Sequence, residues 1–501
     1  MSSVDFLALS PLVLAAGGSI VVLLVSAFAG KRPAAPFAVA LVVLALALAA
    51  IGLAWSEAPR AVAGLVEIDG FTLFAQALIF ATAFLVALVS YRYMAPRSGE
   101  DSDGESGGEY YFLLLLASLG ASVLAAATSF VTLFLGLELL SVSLFSLIAF
   151  RREKTIGAQA GFMYLILAGA SSAFLLFGMA LAFMATGSLK TADLAAALAA
   201  GSPDVLVLAS LGLMTVGIGF KLAAVPFHFW TPEVYDAAPT PVTAFIATVS
   251  KGAMAVFLVR FFAPSGLASA GAYPWIFAAV AALSMFAGNL LALREQRIKR
   301  ILAYSSIAHI GYLLIAIIAG PGRAAPTVAF YLIAYFASSL GAFAAISALA
   351  EGDGECDDLE SYRALASRRP GLAAGLALSM LSLAGLPLTA GFMGKFLIFR
   401  AGEGAFLWVL AVLLAVNSTI SIYYYLKVVS IMYSPASEAG AAAGEASGGA
   451  SAEASGATLS RPARAFGPAA LAIVVAVVVV IALGVFPGPL IDLIRSLTAG
   501  Y

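Results

Sequence analysis

Six ionisable residues sit inside runs that are otherwise apolar. Glu138 lies in FLGLELLSVSLF, Lys221 in GFKLAAVPF, Lys251 in TVSKGAM and Lys395 in GLPLTAGFMGKFLIF, while His228 and His309 lie in PFHFW and SSIAHIGYL. An ionisable side chain at membrane depth is costly and marks a functional site by default. Lysine narrows the chemistry. Burial favours its neutral amine, whereas arginine keeps its charge, so a buried lysine can both take up and release a proton. The residue types point to proton movement across a membrane, with the lysines as way stations.

Each residue fits a role in that scheme. A lone carboxylate at Glu138 is expected to be protonated, but beside a lysine each charge would hold the other. If Glu138 then moves away from Lys221, the lysine loses its proton; the alternative is a static ion pair that fixes helix packing. Lys251 either hands protons toward the centre or reaches a water pocket without titrating. His228 and His309 suit a relay near neutral pH, and equally suit simple hydrogen bonding. Tyr304, Ser305, Ser306 and Tyr312 either order water around His309 or pack helices. Trp230 and Tyr235 read as interfacial anchors.

The elements that position these residues follow from composition. The chain has 501 residues, 62% hydrophobic and 11% charged, with mean hydropathy +1.03. Soluble domains are about half apolar and about a quarter charged, so this is an all-α polytopic membrane protein. Runs of sufficient length place spans at 8–28, 36–55, 70–91, 110–127, 129–149, 158–186, 204–225, 240–262, 273–293, 300–320, 326–350, 371–400, 405–432 and 465–486. That makes fourteen transmembrane helices, with the fourth and fifth split at Thr128 because one helix of that length would overrun a bilayer. Asp5 and the lack of an early basic stretch make the first span a retained one rather than a signal peptide.

A repeat is hidden among the spans. Lys221 and Lys395 each share a segment with a proline, Pro226 and Pro387, and lie five spans apart. An odd number of spans inverts the second unit, and paired interrupted helices are the pointer to an inverted-repeat transporter. The predicted organisation is a three-helix segment at 1–95, five-helix repeats at 110–262 and 273–432, a flexible Ala/Gly/Ser linker at 434–464, and a last helix with its tail at 465–501. Helix breaks at Pro226 and Pro387 imply hydrated pockets beside their lysines.

Sixteen of the 26 lysines and arginines fall on one side of this arrangement and six on the other, with Lys221, Lys251, Lys395 and Lys427 inside spans. The richer side is expected to be cytoplasmic, leaving both termini outside. Lys427 lies near a helix end, where its amine can snorkel. Arg60, Lys190 and Arg260 belong to the poorer side, and REQRIKR at 294–300 reads as a topology signal. Residues 95–109 form an acidic loop, and 189–200 a short helix at the outer interface. The net charge of −1 speaks against a nucleic-acid partner. Cys356 is the one cysteine, so this chain holds neither an internal disulfide nor an iron–sulfur cluster, which takes about four thiolates. No histidine pair has metal-ligand spacing. GFMGK at 391–395 lacks the Ser or Thr that a phosphate loop needs, because Phe396 follows.

The stretch GFKLAAVPFHFWTPEVYDAAPTPVTAFIATVSKGA resembles the signature of the antiporter-like membrane subunits of respiratory complex I, most closely the subunit N branch. FLGLELLSVSLFSLIAF, AYSSIAHIGYLLIA, FYLIAYFASSLGAF and GLPLTAGFMGKFLIF agree, from about Phe112 to Tyr433. The resemblance implies a fourteen-helix fold with two inverted five-helix units, a coupling pair in Glu138 and Lys221, a connecting Lys251 and an exit at Lys395. His228 and His309 match polar positions on the central axis. It also implies an assembled enzyme in the bacterial plasma membrane that oxidises NADH and reduces quinone. Its FMN and iron–sulfur clusters would sit in partner subunits, and no cofactor in this chain. The other readings are a subunit of a cation/proton antiporter complex and a membrane scaffold whose charges only fix packing.

Overall fold

In lipid a backbone can satisfy its N–H and C=O groups within one segment only by forming a helix. The computed structural model describes residues 2–29, 34–94, 107–151, 155–199, 204–262, 273–320, 322–350, 357–403, 407–435 and 467–499. Thirteen helical segments among them are long and apolar enough to cross a bilayer. In the first half these are α2 (Ser10–Ala29), α3 (Ala34–Trp55), α4 (Gly70–Tyr93), α5 (Gly108–Ala126), α6 (Phe130–Ile148), α7 (Thr155–Thr186) and α9 (Val205–Leu222). Short helices α1 (Ser3–Ala8) and α8 (Thr191–Ala199) accompany them. After α10 (Trp230–Ala237), one long segment joins α11 (Thr240–Phe245), a π turn at Ile246–Ser250 and α12 (Lys251–Phe262). Then come α13 (Tyr273–Ala292), α14 (Ile298–Ile318) and α15 (Ala324–Leu349). Further on lie α16 (Leu365–Arg368), α17 (Pro370–Ala384), α18 (Ala390–Ala401), α19 (Trp408–Tyr433), α20 (Pro468–Val485) and α21 (Gly488–Leu497).

The fourteenth expected crossing, 371–400, is the broken pair α17–α18. Gly385 ends α17 at φ 83, a left-handed conformation that glycine adopts without a Cβ penalty. Pro387 has no N–H to continue the ladder, and Thr389 caps α18 by accepting from Phe392 N. The first break differs from expectation. Helix α9 stops at Leu222, with Ala223 at φ 60, before Pro226 is reached. The left-handed backbone at Ala223 ends the helix, and Pro226 lies in the connection.

The split at Thr128 is held from outside. Residues 60–68 form a two-stranded hairpin, β1 (Arg60–Val62) and β2 (Val66–Ile68), turning through Ala63 and Gly64 at positive φ. Thr128 N donates to Leu65 O and Thr128 O accepts from Thr191 N, so the hairpin and α8 clamp the turn from both sides. Helices α5 and α6 then pack backbone to backbone. A Cβ on Gly120 would lie 2.5 Å from Leu140 N, and one on Gly136 would lie 2.7 Å from Leu124 N.

Arg260, counted with the bases of the poorer side, is buried near the end of α12. It donates to Glu67 at 2.9 Å, to Asp69 at 3.0 Å and to Thr72 Oγ1 at 2.5 Å, tying the hairpin and the start of α4 to the core. Every residue of 240–262 is buried, and nearly all of 298–318. The apolar surface exposed on α2, α3, α19 and α20 faces outward. Most of the acidic loop (95–106) and of the linker (436–464) lies outside the described residues. So do Cys356 and the bases Lys31, Arg32, Arg97, Arg152, Lys154, Arg461 and Arg464.

Candidate proton-transfer site

Lys221 lies in the last turn of α9, where the helix dipole favours a cation. The side chain is buried, and its Nζ donates to Ser141 Oγ on α6 at 2.6 Å. Tyr164 on α7 presents its ring 5.4 Å from the amine. Glu138 sits one turn before Ser141 and therefore on the same face of α6. It lies at the middle of α6, is only half-buried, and Ser172 Oγ on α7 donates to its Oε1 at 2.5 Å. Among the described residues no ion pair joins Glu138 to Lys221; each is held by its own serine.

Lys251 follows the π turn directly, and such turns recur where a helix is re-aimed for function. Its Nζ donates to Ser306 Oγ on α14 at 2.5 Å and lies 5.3 Å from the Tyr235 ring. Tyr235 Oη is 3.3 Å from the same Ser306 hydroxyl. Trp230 and Tyr235, expected as interfacial anchors, are fully buried instead. Trp230 Nε1 donates to Phe220 O, a carbonyl released where α9 ends. That bond and the Lys251 contact turn both aromatic residues inward.

His309 is one turn beyond Ser306 on α14. Its Nδ1 shares a 2.6 Å hydrogen bond with Tyr331 Oη and its Nε2 a 3.2 Å bond with Tyr425 Oη. Tyr425 is in turn bonded to Ser305. His228 does not join this network. It stacks on Phe229, with ring centroids 4.4 Å apart, and its buried Nδ1 has no partner among the described residues.

Lys395, on α18, reaches back across the break. Its Nζ donates to Leu383 O at 3.0 Å, Ala384 O at 2.8 Å and Ser418 Oγ at 3.0 Å. The carbonyls freed by ending α17 are thus taken up by the lysine itself. The Tyr312 ring lies 5.2 Å from the amine. Asn289 Nδ2 donates to Tyr312 Oη at 3.0 Å and to Asn417 Oδ1 at 3.1 Å, which fixes that ring. Lys427, near the end of α19, donates to Glu295 O and Gln296 Oε1 and pins the α13–α14 turn.

The structure therefore gathers Lys251, His309 and Lys395 around α14 and sets Glu138 with Lys221 on α6 and α9. Sequence reasoning did not single out Ser141, Ser172, Ser418, Tyr331 or Tyr425. Isolated hydroxyls in apolar helices carry no pattern; only Ser141, one turn from Glu138, had a spacing signal. A cavity of about 1230 Å³ opens elsewhere, beside the hairpin, lined by Glu67, Lys190, Arg260 and Ser496. It does not touch Lys221, Lys251 or Lys395.

The family model described as "NADH:quinone oxidoreductase/Mrp antiporter, TM" matches residues 127–421, which include all six ionisable residues. NADH-quinone oxidoreductase subunit N of Chromohalobacter salexigens is 40% identical over 498 residues, covering 99% of this chain and 100% of the relative. A chain of respiratory complex I from Thermus thermophilus is 34% identical, with a TM-score of 0.78 over 96% of this chain and 98% of that one. A chain of the Mrp complex from a Dietzia species superposes with a TM-score of 0.83 over 100% of this chain and 98% of that one; at 22% identity it shares the fold. With its broken helix, its buried lysines and these relatives, the chain belongs to the subunit N family of NADH-quinone oxidoreductases.

Proposed function

We propose that this chain moves protons across the membrane, as a proton-translocating subunit of an NADH:quinone oxidoreductase, through Glu138, Lys221, Lys251, His309 and Lys395. One observation carries the reading. Each of Lys221, Lys251 and Lys395 donates to a serine hydroxyl, and among the described residues none pairs with a carboxylate. A hydroxyl accepts from an ammonium and donates to a neutral amine, so it satisfies both protonation states. A carboxylate about 4 Å away would lock the charge in place, with about 4 kcal/mol of attraction at an effective dielectric near 20. The serines leave each lysine free to load and unload.

Glu138 supplies the drive in this scheme. Moving from Ser172 toward Lys221, its carboxylate holds the lysine's proton; moving back, it lets the proton go. Lys251 and the Ser306–His309 turn pass the proton on, and Lys395 delivers it from the second half. His228 stacks on Phe229 apart from these contacts, and no step is assigned to it in this scheme. The five-helix units at 110–262 and 273–432 would provide the two mirrored halves. The side richer in bases faces the cytoplasm, and both termini face outward from the plasma membrane.

Electron transfer belongs to partner subunits, with FMN, iron–sulfur clusters, NADH and quinone bound there. Other membrane subunits of the complex are the partners of this chain, and lipid covers the remaining apolar faces. The test is proton pumping by inverted membrane vesicles. Pumping that follows NADH oxidation and ignores sodium supports the reading. Sodium-dependent exchange without NADH would place the chain with cation/proton antiporters instead.

A further inference from the structure

We propose that Asp236 is the carboxyl that loads Lys251 with protons from the base-rich face. This rests on the reading that Lys251 titrates. Asp236 lies in the last turn of α10, next to Tyr235, outside the membrane-spanning segments. Three bases of α14 and its approach surround it. Its Oδ2 pairs with Arg297 and lies 3.9 Å from Arg300 Nη1, while its side chain is 9% exposed. Its Oδ1 is buried and has no hydrogen-bond partner among the described residues. A carboxylate serving only as an anchor would place both oxygens on donors; this one keeps an oxygen open to a proton.

The neighbours grade from solvent to interior. Arg297 is 43% exposed and Glu233 52%, Asp357 is 22% exposed, and Lys299 is fully buried. Arg300 pairs with Glu233 and Glu295, and Lys299 and Arg297 with Asp357, so these charges largely cancel among themselves. Burial pushes the Asp236 carboxyl up from the ordinary carboxylate range, against Arg297, Lys299 and Arg300, which pull it down, and with Asp357, which adds to the rise. Inward, the route is short. Arg300 and Ser306 are separated on α14 by about 9 Å of helical rise, and Tyr235 Oη and Lys251 Nζ both meet the Ser306 hydroxyl.

The step balances. A hydronium ion at the aqueous face gives a proton to the Asp236 carboxylate and is left as water; the carboxyl then gives it, through water and the Ser306 hydroxyl, to the neutral Lys251 amine. Asp236 ends as a carboxylate and Lys251 as an ammonium, with no change in oxidation state.

The experiment compares Asp236→Asn, Arg297→Gln and Lys251→Ala in the assembled complex, measuring NADH-driven proton pumping in inverted vesicles across pH. Asp236→Asn is expected to lower the pumping rate on the order of tenfold or more, because a positioned acid or base contributes about 10²–10⁴-fold to a proton transfer. Arg297→Gln removes a neighbouring cation and is expected to move the pumping profile to higher pH by about one unit. If Asp236→Asn does not assemble, the Arg297→Gln profile decides alone. Wild-type rates in Asp236→Asn, or an unmoved profile in Arg297→Gln, with Lys251→Ala defective, would overturn this inference and leave the proposed function standing. Wild-type pumping in Lys251→Ala would overturn both.

Discussion

Lys251 donates to Ser306 at 2.5 Å, and Ser306 stands one helical turn before His309, so a single face of α14 carries both the lysine's partner and the next ionisable group. Replacing Ser306 with Ala leaves a buried amine without its acceptor, a cost of about 1–3 kcal/mol for an unsatisfied group. The expected outcome is an assembled complex with slowed NADH-driven pumping, restored by Ser306→Thr, which keeps the hydroxyl. Normal pumping in the alanine variant would remove Ser306 from the route.

Gly385 shapes the second break. A Cβ there would lie 2.9 Å from Lys395 Cδ and 3.2 Å from Nζ, and φ 83 adds about 1–2 kcal/mol of backbone strain for any other residue. Gly385→Ala is therefore expected to displace the lysine from the Leu383 and Ala384 carbonyls. Pumping should fall while complex content stays near normal. Gly371→Ala, where no atom lies within 4 Å of the added methyl, serves as the control and should pump normally.

Arg260 holds the outer hairpin. Breaking a buried ion pair by removing one partner costs about 3–5 kcal/mol, and Asp69 stays largely buried when Arg260 is lost. Arg260→Ala is expected to lower the thermal midpoint of the purified protein in detergent, with Asp69→Asn recovering part of the loss. An unchanged midpoint would show that the pair adds nothing to stability.

Asp5 gives a pH signature outside the membrane. Its carboxylate accepts from Ser2 N and Arg60 Nε, each at 2.6 Å, and these contacts hold it below the ordinary carboxylate range. A depressed pKa in the folded state means stabilisation that is present above about 3.9, the usual aspartate value, and lost as pH falls through the lower folded value. The protection of the amides of residues 3–8, as exchange rate relative to an unstructured peptide at the same pH, should therefore fall on acidification in the native chain. In Asp5→Asn that protection should be low at every pH.

The spans were legible because a bilayer demands long uncharged runs, and each such run from 34–55 to 468–485 became helix. The four lysines and the glutamate stood out for the same reason. The partial exposure of Glu138 and the inward turn of Trp230 and Tyr235 were not legible. Both depend on which helix lies alongside, and an apolar helix exposed to lipid reads the same as one exposed to protein. The stop at Ala223 was missed because the left-handed residue there is alanine, so the visible proline drew the break too far along the chain. The hairpin at 60–68 was short enough to pass for a loop, although Ala63–Gly64 between valines carries a turn signal.

The most direct test of the account is the NADH-driven pumping rate of Lys221→Ala in vesicles whose complex content equals that of the native chain. Slowed pumping at equal content is predicted, because the amine held by Ser141 is the group that Glu138 loads and releases. Pumping at the native rate would mean that Lys221 only packs α9 against α6, and would contradict the account.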